Sequence, residues 1–282
     1  MKKFIDFYII KSIGLYINFL SFVFPDKAIE LAHGYFSEPR KGKLTQKNLP
    51  EILKEAHPET FQYQDNFIQT YKWKGNETVI LLVHGWESNS SRWEKLLPYL
   101  KKSGSTIVAI DGPAQGLSSG KEFSVPKFAE YVHEIVEKFK PKYLIGHSMG
   151  GKTCLYYQYK YQSDSIKKMV ILGSPSDFKI IFNNFITLLG LNSKISKALE
   201  DNYISVLNLK LEEFSGQLFA SKLNVKGLVA HDIDDTVVSF KEAKKIVNAW
   251  KEVQFIETSG LGHSLHDDNL YQKVYQFLFE NE

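Results

Sequence analysis

With 282 residues, 43% hydrophobic and 24% charged, the chain can bury one large core with an insertion, and its composition argues against wholesale disorder and against a multi-span membrane protein. A net charge of only +3, with no basic stripe, gives no reason to expect a nucleic-acid partner. The single cysteine, Cys154, leaves no intramolecular disulfide to form and fits a reducing compartment, so a cytoplasmic location is expected.

The first 27 residues, "MKKFIDFYIIKSIGLYINFLSFVFPDK", form an apolar helix pattern whose longest uncharged stretch, 12–25, holds 14 residues. That falls short of the roughly 18–20 that span a bilayer. Asp6 and Lys11 interrupt the apolar run and no small-residue cleavage site follows Phe24, which disfavours a secretory signal. Lys11, Gly14, Asn18 and Ser21 recur at spacings of 3, 4 and 3, one narrow non-apolar stripe on a greasy helix. Packing on the protein's own surface is the preferred reading; peripheral contact with a membrane interface is the alternative.

After a polar stretch over 37–54, "NFIQTYKW" at 66–73 reads as an amphipathic strand near an edge. Apolar, β-rich runs follow at 78–85, 105–112, 142–148, 168–174, 225–231 and 253–259. Helical segments are predicted over 91–102, 125–139, 149–162, 240–250 and 268–280. Near-continuous apolar strands alternating with helices indicate a mostly parallel sheet covered on both faces, an α/β fold. Residues 176–224 break the rhythm: 49 residues, strand-poor and helical in pattern, are too long for an ordinary connection and suggest a small helical cap. The expected organisation is therefore an N-terminal helix and linker over 1–59 packing on the core, a core of 60–175 and 225–282, and a cap insertion over 176–224.

The chemistry starts at "GHSMGG", where Gly146, His147, Ser148, Met149 and Gly150 make a Gly-x-Ser-x-Gly pattern. It sits between the strand-like "KYLI" and the helix-like "MGGKTCLYYQYKYQ", the strand-turn-helix setting that presents a serine hydroxyl above a sheet. Flanking glycines allow the strand and helix to approach, and the turn aims the Met149 N–H at a carbonyl oxygen. Such a serine needs a base and an orienting acid. His263, after Gly260 and Gly262 in "SGLGHSLHDD", is preferred over His266, which lies closer to the last helix. "HDIDDTVVS" (231–239) supplies three candidate acids, Asp232, Asp234 and Asp235. A Ca²⁺ site there would lack the 12-residue ligand pattern and its terminal glutamate.

In order, "VHGW", "DGPAQGLS", "GHSMGG", the acidic loop and "GLGH" resemble the α/β-hydrolase superfamily over roughly residues 60–282, in the branch of esterases, thioesterases and monoacylglycerol-lipase-like enzymes. The resemblance implies an α/β-hydrolase fold with a helical cap and a nucleophile–acid–base triad of Ser148, Asp235 and His263. Asp232 and Asp234 are then expected in a solvated turn, with Val237 and Val238 anchoring the loop in the core. It implies an oxyanion hole from the backbone N–H groups of Trp86 and Met149, with His84, Gly85, Gly146 and Gly150 in supporting roles. Gln115 stands where the family commonly has a histidine, Asp232 where it has glycine, and Thr236 and Ser239 where proline is frequent. The implied reaction is cleavage of a small to medium, apolar acyl ester or thioester, with neither metal nor organic cofactor. Carbon–carbon bond hydrolysis, perhydrolysis or slow-turnover ligand binding on the same fold are the alternatives.

Overall fold

The computed structural model describes residues 2–280. Eight strands form one sheet: β1 (His57–Tyr63), β2 (Asn66–Trp73), β3 (Asn76–Val83), β4 (Ser105–Ile110), β5 (Tyr143–His147), β6 (Lys168–Leu172), β7 (Lys226–Asp232) and β8 (Val253–Thr258). Their order is β1-β2-β4-β3-β5-β6-β7-β8. β1 and β2 pair antiparallel, as do β2 and β4, and every other pairing is parallel.

The helices are α1 (Lys2–Val23), α2 (Pro25–Ser37), α3 (Glu51–Lys54), α4 (Leu97–Lys101), α5 (Val125–Phe139), α6 (Met149–Tyr161), α7 (Phe178–Leu189), α8 (Ser193–Leu207), α9 (Gly216–Ala220), α10 (Phe240–Ala249) and α11 (Asp268–Phe279). Helices cover both faces of the sheet, which is why every residue of β5 and β6 is buried and both read as continuous apolar runs. One face of the core packs Ile80, Leu82, Ile107, Ile145 and Val170 with Leu97, Leu100, Val274 and Phe277.

β1 has no counterpart among the predicted strands. None of its seven residues is buried, so "HPETFQY" carries no apolar run to announce it, and its order comes from pairing with β2. β2 consequently lies one strand in from the edge.

The chain divides into two compact units, one of residues up to Glu38 together with Asp177–Ser215, the other of Pro39–Ser176 with Gly216–Glu282. In the first unit Phe36 meets Phe178, Phe182, Phe185 and Tyr203 edge-on or tilted. The polar stripe of α1 faces inward within this unit. Lys11 Nζ donates to Thr187 O at 3.1 Å, Asn18 Nδ2 to Gly190 O at 2.8 Å, the Asn192 amide to Asn18 Oδ1 at 2.8 Å, and Asn192 Nδ2 to Ser21 Oγ at 2.9 Å. Gly14 is there because a Cβ would lie 1.7 Å from Leu189 O.

Residues up to Glu38 cluster with Asp177–Ser215, where the turn between α7 and α8 presents backbone groups that the polar stripe of α1 satisfies. Residues from Pro39 onward belong with the sheet: Leu44 N donates to Gly116 O and Gly116 N to Gly42 O, and Leu53 is buried. Helix α9 packs on α6 and α10.

Candidate active site

Ser148 sits between β5 and α6 with φ 54° and ψ −125°, a region where a side-chain-bearing residue is strained. The surrounding packing leaves no alternative. A Cβ on Gly146 would lie 2.6 Å from Gly150 O, and one on Gly150 would lie 2.2 Å from Val83 O, so only glycine lets α6 start this close to the sheet. The Ser148 amide donates to Leu172 O at 2.8 Å.

His263 comes from the turn after β8 (Gly262–Ser264). Gly260 and Gly262 both adopt positive φ, 77° and 60°, with nothing near their would-be Cβ atoms, so glycine is needed there for conformation rather than for space. The turn brings His263 Nε2 to 3.0 Å from Ser148 Oγ and Nδ1 to 2.7 Å from Asp235 Oδ2. Asp235 Oδ1 accepts from the amides of Val237 and Val238 at 2.8 and 2.9 Å. Burial alone would raise the Asp235 pKa; hydrogen bonds from His231, His263 and these two amides outweigh it and hold the carboxyl well below the usual carboxylate range. An ionised Asp235 accepts from His263 Nδ1–H and leaves Nε2 free to accept from the serine.

Gly85 lies against the serine: a Cβ there would be 2.9 Å from Ser148 Cβ and 3.4 Å from its Oγ. The His84–Trp86 turn therefore passes beside Ser148. Among the described residues, neither the Trp86 nor the Met149 amide donates to a protein acceptor. The Trp86 ring rests edge-on against Phe123, 5.4 Å between centroids. His84 is fully buried, with Nδ1 2.8 Å from Gly85 O while Nε2 accepts from Gly112 N at 2.8 Å. Burial lowers its pKa, and with both nitrogens engaged it ties the turns after β3 and β4 together and has no free nitrogen to act as a base. Gln115 serves the same loops, its Oε1 accepting from Ser88 N at 3.1 Å.

The aspartates of 231–239 have three separate jobs. Asp232 is fully buried and accepts from Asp234 N, Thr258 Oγ1 and Leu261 N at 3.0, 2.7 and 3.0 Å. Asp234 accepts from Ser259 Oγ and Gly260 N, both at 2.9 Å. The expected solvated turn describes Asp234, which is exposed, and is corrected for Asp232, which is buried; both carboxylates shape the loop that carries His263. Val237, expected to anchor the loop in the core, is 69% exposed, because its backbone amide rather than its side chain makes the attachment.

Three supports escape a reading by motif. His147 Nε2 donates to His263 O at 2.8 Å, Arg92 Nη2 to Ser264 O at 2.9 Å, and buried His231 Nε2 lies 2.9 Å from Val238 O and 3.4 Å from Asp235 Oδ2. His147 and His231 stand inside motifs, but nothing local says what they touch. His266 is elsewhere engaged, its Nδ1 accepting from Tyr271 Oη at 2.5 Å. A second buried serine–carboxylate pair exists, Ser90 Oγ donating to Asp111 Oδ1 at 2.7 Å. The Ser90 amide donates to the same oxygen and Leu117 N to Asp111 Oδ2, so this pair braces loops, and among the described residues no histidine is hydrogen-bonded to Ser90. Among the described residues no cluster of three or more His, Cys, Asp or Glu could hold a metal ion.

A covered, mostly parallel sheet with a strained serine at a strand-turn-helix junction defines a hydrolase-type enzyme of the α/β-hydrolase class. The model of the family described as alpha/beta hydrolase fold matches residues 78–225, just over half of the chain, and the chain belongs to that family. Among curated proteins it is similar to phospholipase YtpA of Bacillus subtilis (strain 168), 29% identical over 139 residues, 46% of this chain and 49% of that one. It spans about half the length or less of the curated relatives it matches. Among solved structures it is similar in fold to Est1E from Butyrivibrio proteoclasticus, determined with ferulic acid bound (TM-score 0.67, 18% identity, covering 79% of this chain and 98% of that one). Mouse alpha/beta hydrolase domain-containing protein 10 is similar too (TM-score 0.63, 14% identity, 80% and 98%).

Proposed function

We propose that this protein is a serine hydrolase that cleaves a carboxylic ester or thioester of a small to medium, apolar acyl group through an acyl-enzyme on Ser148. The single observation that carries this reading is the unbroken hydrogen-bonded chain from Asp235 through His263 to Ser148 Oγ. His263 Nε2 takes the serine proton as Oγ bonds to the acyl carbon, and the oxyanion accepts from the N–H groups of Trp86 and Met149. Each such donor contributes roughly 3–4 kcal/mol to transition-state stabilisation. The imidazolium, stabilised by Asp235, protonates the leaving alcohol or thiol as its bond to the acyl carbon breaks. Water then attacks the acyl carbon as His263 takes its proton, and the imidazolium returns that proton to Ser148 Oγ as the Oγ–acyl bond breaks and the acid leaves. The name of YtpA, a phospholipase, agrees with acyl-ester chemistry.

A panel of p-nitrophenyl esters from acetyl to palmitoyl tests the proposal. Turnover well above the Ser148→Ala background, with a preferred chain length, is expected; a flat background profile would contradict it.

A further inference from the structure

The polar stripe of α1 is committed to the turn between α7 and α8, and the helix therefore turns its apolar arc to solvent. Tyr8, Leu15, Tyr16, Phe19, Phe22 and Val23 are all more than half exposed, Leu15 at 70% and Phe22 at 78%. At about 100° per residue they cover an arc of about 120° and a length of about 22 Å. Ser12 is the one polar residue inside that arc. The four aromatic side chains alone present roughly 400–600 Å², as much as the largest apolar patch on a typical monomer. This is the reverse of a surface helix, which hides its apolar face and shows its polar one.

We propose that α1 docks the protein on an anionic lipid bilayer, lying flat with this arc in the boundary between headgroups and acyl chains. Charge points to that occupant: besides Lys11, which the α7–α8 turn holds, residues 1–24 contain Lys2 and Lys3 against Asp6 alone, a net positive segment suited to anionic headgroups. Width points the same way, since a partner helix from a second copy covers a narrow seam whereas a planar interface covers the whole arc. No helix among the described residues is long and apolar enough to cross a membrane. A groove of about 640 Å³ between Tyr8, Ile13 and Tyr16 of α1 and Leu31 and Tyr35 of α2 flanks the arc and would take an acyl chain. The proposal does not depend on the ester chemistry.

The test is co-sedimentation of the full chain with phosphatidylcholine vesicles and with phosphatidylcholine–phosphatidylglycerol vesicles. The wild type should pellet with the anionic vesicles more than with the neutral ones. Phe19→Gln/Phe22→Gln should lose about tenfold or more in partitioning with its thermal midpoint unchanged, because both side chains already face solvent. In Phe22→Trp, tryptophan emission should shift to the blue on adding anionic vesicles. Wild-type protein left in the supernatant with both lipids, a double variant that pellets like the wild type, or unmoved emission would overturn the proposal. So would light scattering that shows a wild-type dimer, dissolved by the double variant, without vesicle binding.

Discussion

His147 Nε2 donates to the carbonyl oxygen of His263 across 2.8 Å, so the residue just before the proposed nucleophile holds the backbone of the proposed base. Burial, and after it the nearby Arg92 guanidinium, push the His147 pKa well below 6.5, leaving a neutral ring whose Nε2–H is the donor. Its ring lies 4.9 Å from that of His263, tilted by 55°. One strand end thus supplies both the serine and a brace for its partner, and an ångström of slack between reacting groups can cost about a hundredfold in rate.

His147→Leu should therefore lower kcat by roughly 10–100-fold with little change in KM. His147→Gln, whose amide can still donate, should recover most of it. Steady-state kinetics on a p-nitrophenyl ester measures both.

The three aspartates should separate cleanly. Asp235→Asn should reduce kcat about 10⁴-fold through the wrong His263 tautomer. Asp234→Asn, at an exposed position, should stay within a few-fold of wild type. Asp232→Asn puts an amide among three donors and should cost about 1–3 kcal/mol of stability, read as a lower melting midpoint with turnover per folded molecule largely retained.

Gly85→Ala would set a methyl against Ser148 Cβ at 2.9 Å. The turn carrying the Trp86 amide must then move, and kcat should fall about 10²–10³-fold, the scale of one lost oxyanion donor. The rate of fluorophosphonate labelling should fall with it while circular dichroism stays native.

Acid should destabilise the fold in two stages. His84 and His147 are held neutral by burial, and burial followed by Arg92 and Lys95 pushes His266 down to about 4. Between roughly pH 6.5 and pH 4 the unfolded chain binds protons that these folded histidines refuse, so stability is full above about 6.5 and is lost as pH falls. Asp235, depressed from 3.8, adds a further loss below about pH 4 for the same reason. Thermal melts should show a midpoint that drops steadily on acidification, with a shallower slope in His147→Gln; a midpoint that rises would contradict this.

Much of this was legible locally. The seven parallel or amphipathic strands with apolar runs stand out because both faces or one face are buried, and "GHSMGG" announces its turn because glycine and serine there answer to backbone geometry within five residues. Strand β1 was not legible, since none of its residues is fully buried. Nor was the facing of α1: Lys11, Gly14, Asn18 and Ser21 look like a solvent stripe until residues 187–192, far along the chain, supply the carbonyls and amides they bind. Asp232, Asp234, His147 and Arg92 share that character. Each acts on the loop of His263 across a sequence separation that no motif encodes.

The central claim is that Ser148 is the nucleophile activated by His263. Reaction with a fluorophosphonate followed by peptide mass mapping tests it most directly. The adduct is expected on the peptide containing Ser148, absent in Ser148→Ala and strongly diminished in His263→Ala. An adduct on Ser90, or none on a folded wild-type protein, would contradict the account.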